Sequence, residues 1–160
     1  MSPCGELNHL GCDSISAHVG EVFCRDRFTR RCQEFGLHPG YALDLSTGWD
    51  MNDKEHVEEA NRLQDEVRPW LLIGSPECKA FCLLMRGWNR DKMDPDKHCA
   101  LRQEGLAHLL LCIKMYLKQL EHHHFFLHEH PDPADSWQQE EMQLLILRSC
   151  GSVWTSAMPG

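Results

Sequence analysis

The sequence predicts an α/β protein, a Rossmann-like three-layer fold around a mostly parallel sheet. Three observations predict it. Short β-branched or aromatic runs alternate with stretches of helical period. The run PWLLIGSPECKAF, from Pro69 to Phe81, breaks from solid apolar residues into Gly-Ser-Pro and then presents a cysteine, as at the carboxyl edge of a parallel sheet. The 160 residues suit one domain, and a domain of this size buries roughly 70% of its unfolded surface.

The elements follow in order. Residues 1–16 mix Gly, Cys, His and Pro without period and read as a flexible leader. The domain spans 17–148, and 149–160 is an irregular tail without period. His18 to Cys24 reads as a first strand, and Phe28, Cys32 and Phe35 share one face of a helix that Gly36 stops. Tyr41 to Leu45 follows a Pro-Gly turn as a second strand. Val57, Ala60 and Leu63 recur at helical spacing before Pro69 closes the segment, and Trp70 to Ile73 is the third strand. After an Asp94-Pro95 start, Leu106, Leu109, Leu110, Ile113, Leu117 and Leu120 form one apolar stripe. Phe125 to His130 is a fourth strand stopped by Pro131 and Pro133, and Trp137 to Leu147 a last helix.

Composition narrows the function classes. A net charge of −8 is unfavourable for gripping a phosphate backbone, because such affinity rests on clustered Lys and Arg. Nine cysteines scattered without CxxC pairs predict reduced, structural thiols, not a disulfide framework or zinc ribbon. The amino terminus lacks a basic start followed by an apolar stretch, and no apolar run is long enough for a bilayer. The expectation is an intracellular protein, nuclear or cytoplasmic, without a membrane partner.

Four strand ends carry the candidate chemistry: Glu21, Asp44, Cys78 and Glu129. A carboxylate such as Glu129 at an otherwise apolar strand end needs a partner or a function. The bland readings are a small core residue for Cys78 and turn formers for Asp44 and Asp50. His122, His123, His124, His128 and His130 invite a metal reading, but HEHPD is not HExxH on a helix, and no metal site is expected. Trp49 and the other tryptophans suit stacking on bases or, more commonly, packing.

An acid in the first strand, an acid closing the second, a thiol after Gly-Ser-Pro and a Glu ending a later strand form an ordered set. It resembles the catalytic half of the C5-cytosine DNA methyltransferases, a Rossmann-like family that uses S-adenosylmethionine. The resemblance is closer to methyltransferase-like segments of retroelement polyproteins, on EVFCRDRFT, ALDLSTGWD, LLIGSPEC and FLHEHP, and covers roughly Val19 to Trp137.

The resemblance implies that the Cys78 thiolate adds to the cytosine ring and makes C5 nucleophilic, while Glu129 contacts the ring nitrogen and exocyclic amine. A base inside a duplex must be flipped out to be reached. Asp44 would hold the cofactor ribose, with Glu21 and Asp50 lining the same pocket. Ser75 and Pro76 of the cysteine turn, His130 beside Glu129, and Arg86 in the patch Arg86, Arg90, Lys92 would meet the substrate.

The sequence departs from the family in three places. The first loop, Cys24 to Phe28, holds bulky charged residues where the family has glycines. Glu77 replaces a second proline and sets a carboxylate beside the thiol. The family's target-recognition region and later arginine-bearing motif have no counterpart after Trp137, so nucleic acid would be reached through a missing region or a partner chain. These departures predict that the fold survives and methyl transfer does not. The reading from another class is a non-catalytic binding or scaffold fragment of a retroelement-derived polyprotein; a thiol- or metal-dependent hydrolase trails both.

Overall fold

The computed structural model describes residues 17–81, 94–132 and 134–149. The expected leader, Cys82, Arg86 with its basic patch, and the tail from residue 150 lie outside the described residues. Four parallel strands, β1 (Val19–Val22), β2 (Pro39–Leu43), β3 (Leu71–Gly74) and β4 (Phe125–His128), form one sheet in the order β2-β1-β3-β4. Three α-helices accompany them: α1 (Lys54–Val67), α2 (Pro95–Glu121) and α3 (Glu140–Arg148). The α/β class and the parallel sheet are as the sequence predicts.

Strand order dictates where the connections go. The first crossover moves from β1 to β2 in one direction, and the next two, to β3 and β4, move in the other. Right-handed crossovers therefore place the first connection on one face and α1 and α2 on the opposite face. The core divides accordingly. Val22, Leu43 and Leu72 pack with Ala60 of α1 and with Leu109, Cys112 and Tyr116 of α2, whereas Val19 and Ile73 pack with Cys32 on the other side. Among the described residues, that second face is covered by a 3-10 turn, Thr29–Phe35. At the β4 side it leaves Phe125, Leu127 and the neighbouring Trp70 exposed.

The turn geometry corrects one sequence expectation. Phe28, Cys32 and Phe35 do not share a buried face: Cys32 is buried while Phe28 and Phe35 are 56% and 70% exposed. At three residues per turn the aligned column is Thr29 and Cys32, and Thr29 is the second buried residue. Gly36 closes the turn in a left-handed conformation, as expected. The long stripe on α2 is also rotated. Leu110 is exposed, and the most buried line runs through Gly105, Leu109, Cys112, Tyr116 and Gln119. Gln119 belongs there because its amide donates to the carbonyls of Pro69 and Phe125.

Smaller differences follow from turn chemistry. The second strand begins at Pro39 and ends before Asp44, which caps the following turn. A register shift between Val19 and Glu21 marks its pairing with β1, where a Cβ on Gly40 would lie 2.7 Å from the Val19 carbonyl oxygen. The fourth strand stops at His128, and the last helical region divides into a 3-10 turn, Asp135–Gln138, and α3.

Gly74, the last residue of β3, is required by close packing. A Cβ there would overlap the hydroxyl of Tyr116, which is fully buried and lies 3.0 Å from Nδ1 of His128. Gly74→Ala is expected to lower stability by about 2–3 kcal/mol, as overpacking of a rigid core does. Urea unfolding checks this, and Tyr116→Phe in the same background is expected to recover part of the loss.

Candidate functional site

All four strands run the same way, so their carboxyl ends form one rim. The residues that follow them directly are Phe23, Asp44, Ser75 and Glu129. The rim stays ordered past the strands. Phe23 N–H donates to the Leu43 carbonyl, Ser75 N–H to Val22 and Glu129 N–H to Gly74. The neighbours β2 and β3 flank β1 on its two sides, which makes the end of β1 the topological switch point where open sheets of this kind bind ligands.

A cleft of about 320 Å³ opens there, within the range of small-molecule sites. Its described lining comes from three rim loops and α2: Phe23; Asp44, Trp49 and Asp50; Ser75 and Glu77; Glu104 and His108, with Leu45, Met51 and Asn52 completing it. Three residues named from sequence as ligand-binding, Asp44, Asp50 and Ser75, are thereby brought together.

The two aspartates form turns and still face the cleft. Oδ1 of Asp44 accepts from the Ser46 amide at 2.9 Å and the Ser46 hydroxyl at 2.5 Å, while its own N–H donates to Oγ1 of Thr47. Oδ1 of Asp50 accepts from the Asn52 amide at 2.9 Å. The Asp44 side chain also receives the Thr47 amide in a capping box, whereas Oδ2 of Asp50 accepts no hydrogen bond from a described residue. Asp44 thus shapes its loop, while Asp50 shapes its own with one oxygen and keeps the other available to a ligand.

The α2 wall is a hydrogen-bonded chain. Asn52 Nδ2 donates to Glu104 Oε1 at 2.8 Å, and His108 Nε2 lies 3.0 Å from Asn52 Oδ1. A carbonyl oxygen only accepts, so Nε2 carries the proton. Burial lowers the pKa of His108 below its ordinary value, against smaller opposing effects of Glu104, Asp50 and Glu77. Its ring lies 4.6 Å from that of Phe23. Phe23 itself has φ 55°, a left-handed conformation that a bulky residue adopts at a cost of order 1–3 kcal/mol.

Glu21 sits elsewhere. It is fully buried on the face under the Thr29–Phe35 turn and does not line the cleft. Its carboxylate accepts from the Phe28 amide at 3.2 Å, the Thr29 amide at 2.7 Å, the Thr29 hydroxyl at 2.6 Å and the Cys24 thiol at 3.3 Å. The residue before that turn supplies no side-chain cap, and Glu21 satisfies the orphan amides from the strand beneath. Burial, then the hydrogen bond and charge of Glu21, push the Cys24 thiol up to about 12, which keeps it protonated.

The expected catalytic residues occupy the next part of the rim. Cys78 is half-buried and opens a 3-10 turn, Cys78–Phe81. Glu129 is exposed and accepts from the Ser75 hydroxyl at 2.6 Å, which ties it to a residue of the cleft wall. Neither Cys78 nor Glu129 lines the cleft itself. Pro76 is buried, and its carbonyl lies 2.7 Å from Nε2 of His130, whose Nδ1 is 2.6 Å from the Ser136 hydroxyl. Both ring nitrogens of His130 are thus engaged by the protein, and His130 fastens the cysteine turn to the segment after β4.

Sequence reasoning missed Phe23, Asn52, Glu104 and His108. Glu104 and His108, four apart, fall on one side of α2. That spacing was the available signal, yet it is indistinguishable from an ordinary solvated flank until the helix is docked. Among the described residues no three His, Cys, Asp or Glu side chains converge as a metal site, and no helix is long and apolar enough to cross a membrane.

Fold and cleft together define the class: a Rossmann-like α/β domain with a crevice at its switch point. Compared with known proteins, the chain matches no family model, no curated protein and no solved structure.

Proposed function

We propose that this is a methyltransferase-like domain that binds S-adenosylmethionine in the switch-point cleft and does not transfer the methyl group. One observation carries the reading: the described lining holds four carboxylates, Asp44, Asp50, Glu77 and Glu104, with two aromatic rings and no Lys or Arg. Phosphate-bearing cofactors are repelled by such a wall, whereas ribose hydroxyls and cationic groups suit it. S-Adenosylmethionine offers both, with a ribose, an ammonium and a sulfonium but no phosphate. The carboxylate of Asp44 and Oδ2 of Asp50 are the acceptors for its hydroxyl or ammonium donors, and Phe23 and Trp49 supply apolar surface. When bound, the group brings an electrophilic methyl.

Several features weigh against transfer. Cys78 and Glu129 stand outside the cleft lining, Glu129 is tied to Ser75, and both nitrogens of His130 are taken. A net charge of −8 disfavours an unaided hold on nucleic acid. A nucleic-acid partner would need additional cationic surface, and the second reading, a scaffold fragment of a retroelement-derived polyprotein, requires no ligand at all.

A thermal-shift titration separates these readings. Ligand at 100 times its Kd is expected to stabilise the fold by about 2.7 kcal/mol. S-Adenosylmethionine should raise the Tm, while NAD and ATP should not. A flat response to millimolar S-adenosylmethionine overturns the proposal in favour of the scaffold. A covalent adduct between Cys78 and a 5-fluorocytosine oligonucleotide, formed with the cofactor present, overturns the absence of transfer.

A further inference from the structure

Resting on that cofactor reading, we infer that the cleft distinguishes the charge state of its ligand, holding the sulfonium cofactor S-adenosylmethionine in preference to the neutral thioether S-adenosylhomocysteine. The two molecules share adenine, ribose and amino-acid groups. They differ by one methyl and one positive charge, so the sign and strength of the local field decide between them.

Every ionisable group of the described lining apart from the neutral His108 is a carboxylate. Asp44 and Asp50 come from the loop after β2, Glu77 from the loop after β3 and Glu104 from α2. Glu77 is compensated by Lys79, whose Nζ lies 2.5 Å from Oε1. None of Asp44, Asp50 and Glu104 forms a salt bridge with a described residue. Glu104 has instead a neutral amide, Asn52, as its partner. His108, the one described lining group able to add positive charge, is held as its neutral form by burial, and its proton points to Asn52.

Phe23 and Trp49 add an independent contribution to the same preference. Aromatic faces attract onium groups more strongly than a neutral thioether. Three carboxylates without an ion pair to a described residue, together with two rings, form an environment in which a methylated cation is favoured by charge and by quadrupole. A domain that binds in this way and does not transfer the methyl group responds to how much of the cofactor pool is still methylated.

Isothermal titration of the full chain with the two compounds tests the inference. At low salt S-adenosylmethionine is expected to bind about tenfold more tightly than S-adenosylhomocysteine, and the ratio to shrink as salt is raised. An analogue in which an ammonium replaces the sulfonium should side with S-adenosylmethionine. Asp50→Asn and Glu104→Gln retain the acceptor oxygens used by the Asn52 amide and side chain, so their loops should stay folded, as circular dichroism will show; each is expected to reduce the ratio two- to threefold. Equal binding of the two compounds, or tighter binding of the thioether, overturns the inference and leaves the cofactor reading standing. If neither binds, the cofactor reading fails and takes the inference with it.

Discussion

Glu21→Leu is expected to abolish or nearly abolish folding, with a loss of about 3–5 kcal/mol in urea unfolding. The carboxylate is fully buried and receives two amides, a hydroxyl and a thiol. Removing it leaves the buried Thr29 amide and hydroxyl and the part-buried Phe28 amide without this partner, and each buried unsatisfied group costs about 1–3 kcal/mol. Glu21→Gln separates shape from charge. One carbonyl oxygen can still accept from Thr29, but the amide nitrogen must face a second donor, so a smaller loss of about 2 kcal/mol is expected. If Glu21→Leu were as stable as the parent chain, the carboxylate would not be what anchors the first loop.

The second large effect is acid sensitivity well above the carboxylate range. Burial, aided by the nearby His130, lowers the pKa of His128 to about 3. Its Nε2 is buried without a hydrogen-bond partner among the described residues, so a proton there has nothing to meet. In the unfolded chain the same imidazole titrates near 6.5. Between pH 6.5 and 3 the unfolded state thus binds the extra proton and the folded state does not. Stability therefore falls as pH decreases through this window, by about 1.5 kcal/mol from pH 6.5 to 5 on account of His128 alone. His130, whose pKa burial also lowers, acts in the same direction. Urea midpoints measured across that interval should show the slope, and His128→Phe should flatten it even though Tyr116 loses a partner. An unchanged slope in that variant would assign the acid sensitivity to other groups.

How much was legible in the sequence follows from which forces act locally. Strand runs such as Leu71–Gly74 and the capped start of α2 at Asp94-Pro95 are written in neighbouring residues, and those elements formed within a few positions of expectation. The parallel sheet followed from alternation alone. Less legible was anything decided by a partner distant in sequence. Glu21 in a strand reads equally well as a ligand for solvent, cofactor or loop, and the Thr29 amide eight residues later settles it. The cleft shows the same division. Asp44 is legible as a strand end, and Asp50 and Ser75 come only from the family resemblance, while Glu104 and His108 depend on how α2 is docked. The pairs Ser75 with Glu129 and Pro76 with His130 bridge 54 residues, and no local pattern encodes them.

Placement of Trp49 in the cleft wall gives the molecule a built-in optical gauge. If the proposed ligand enters, an indole beside its onium group would change its emission, whereas Trp70, exposed and packed on Phe125, would keep its colour and intensity. Occupancy by that ligand would thus be read in the chain's own fluorescence, with Trp70 as an internal reference.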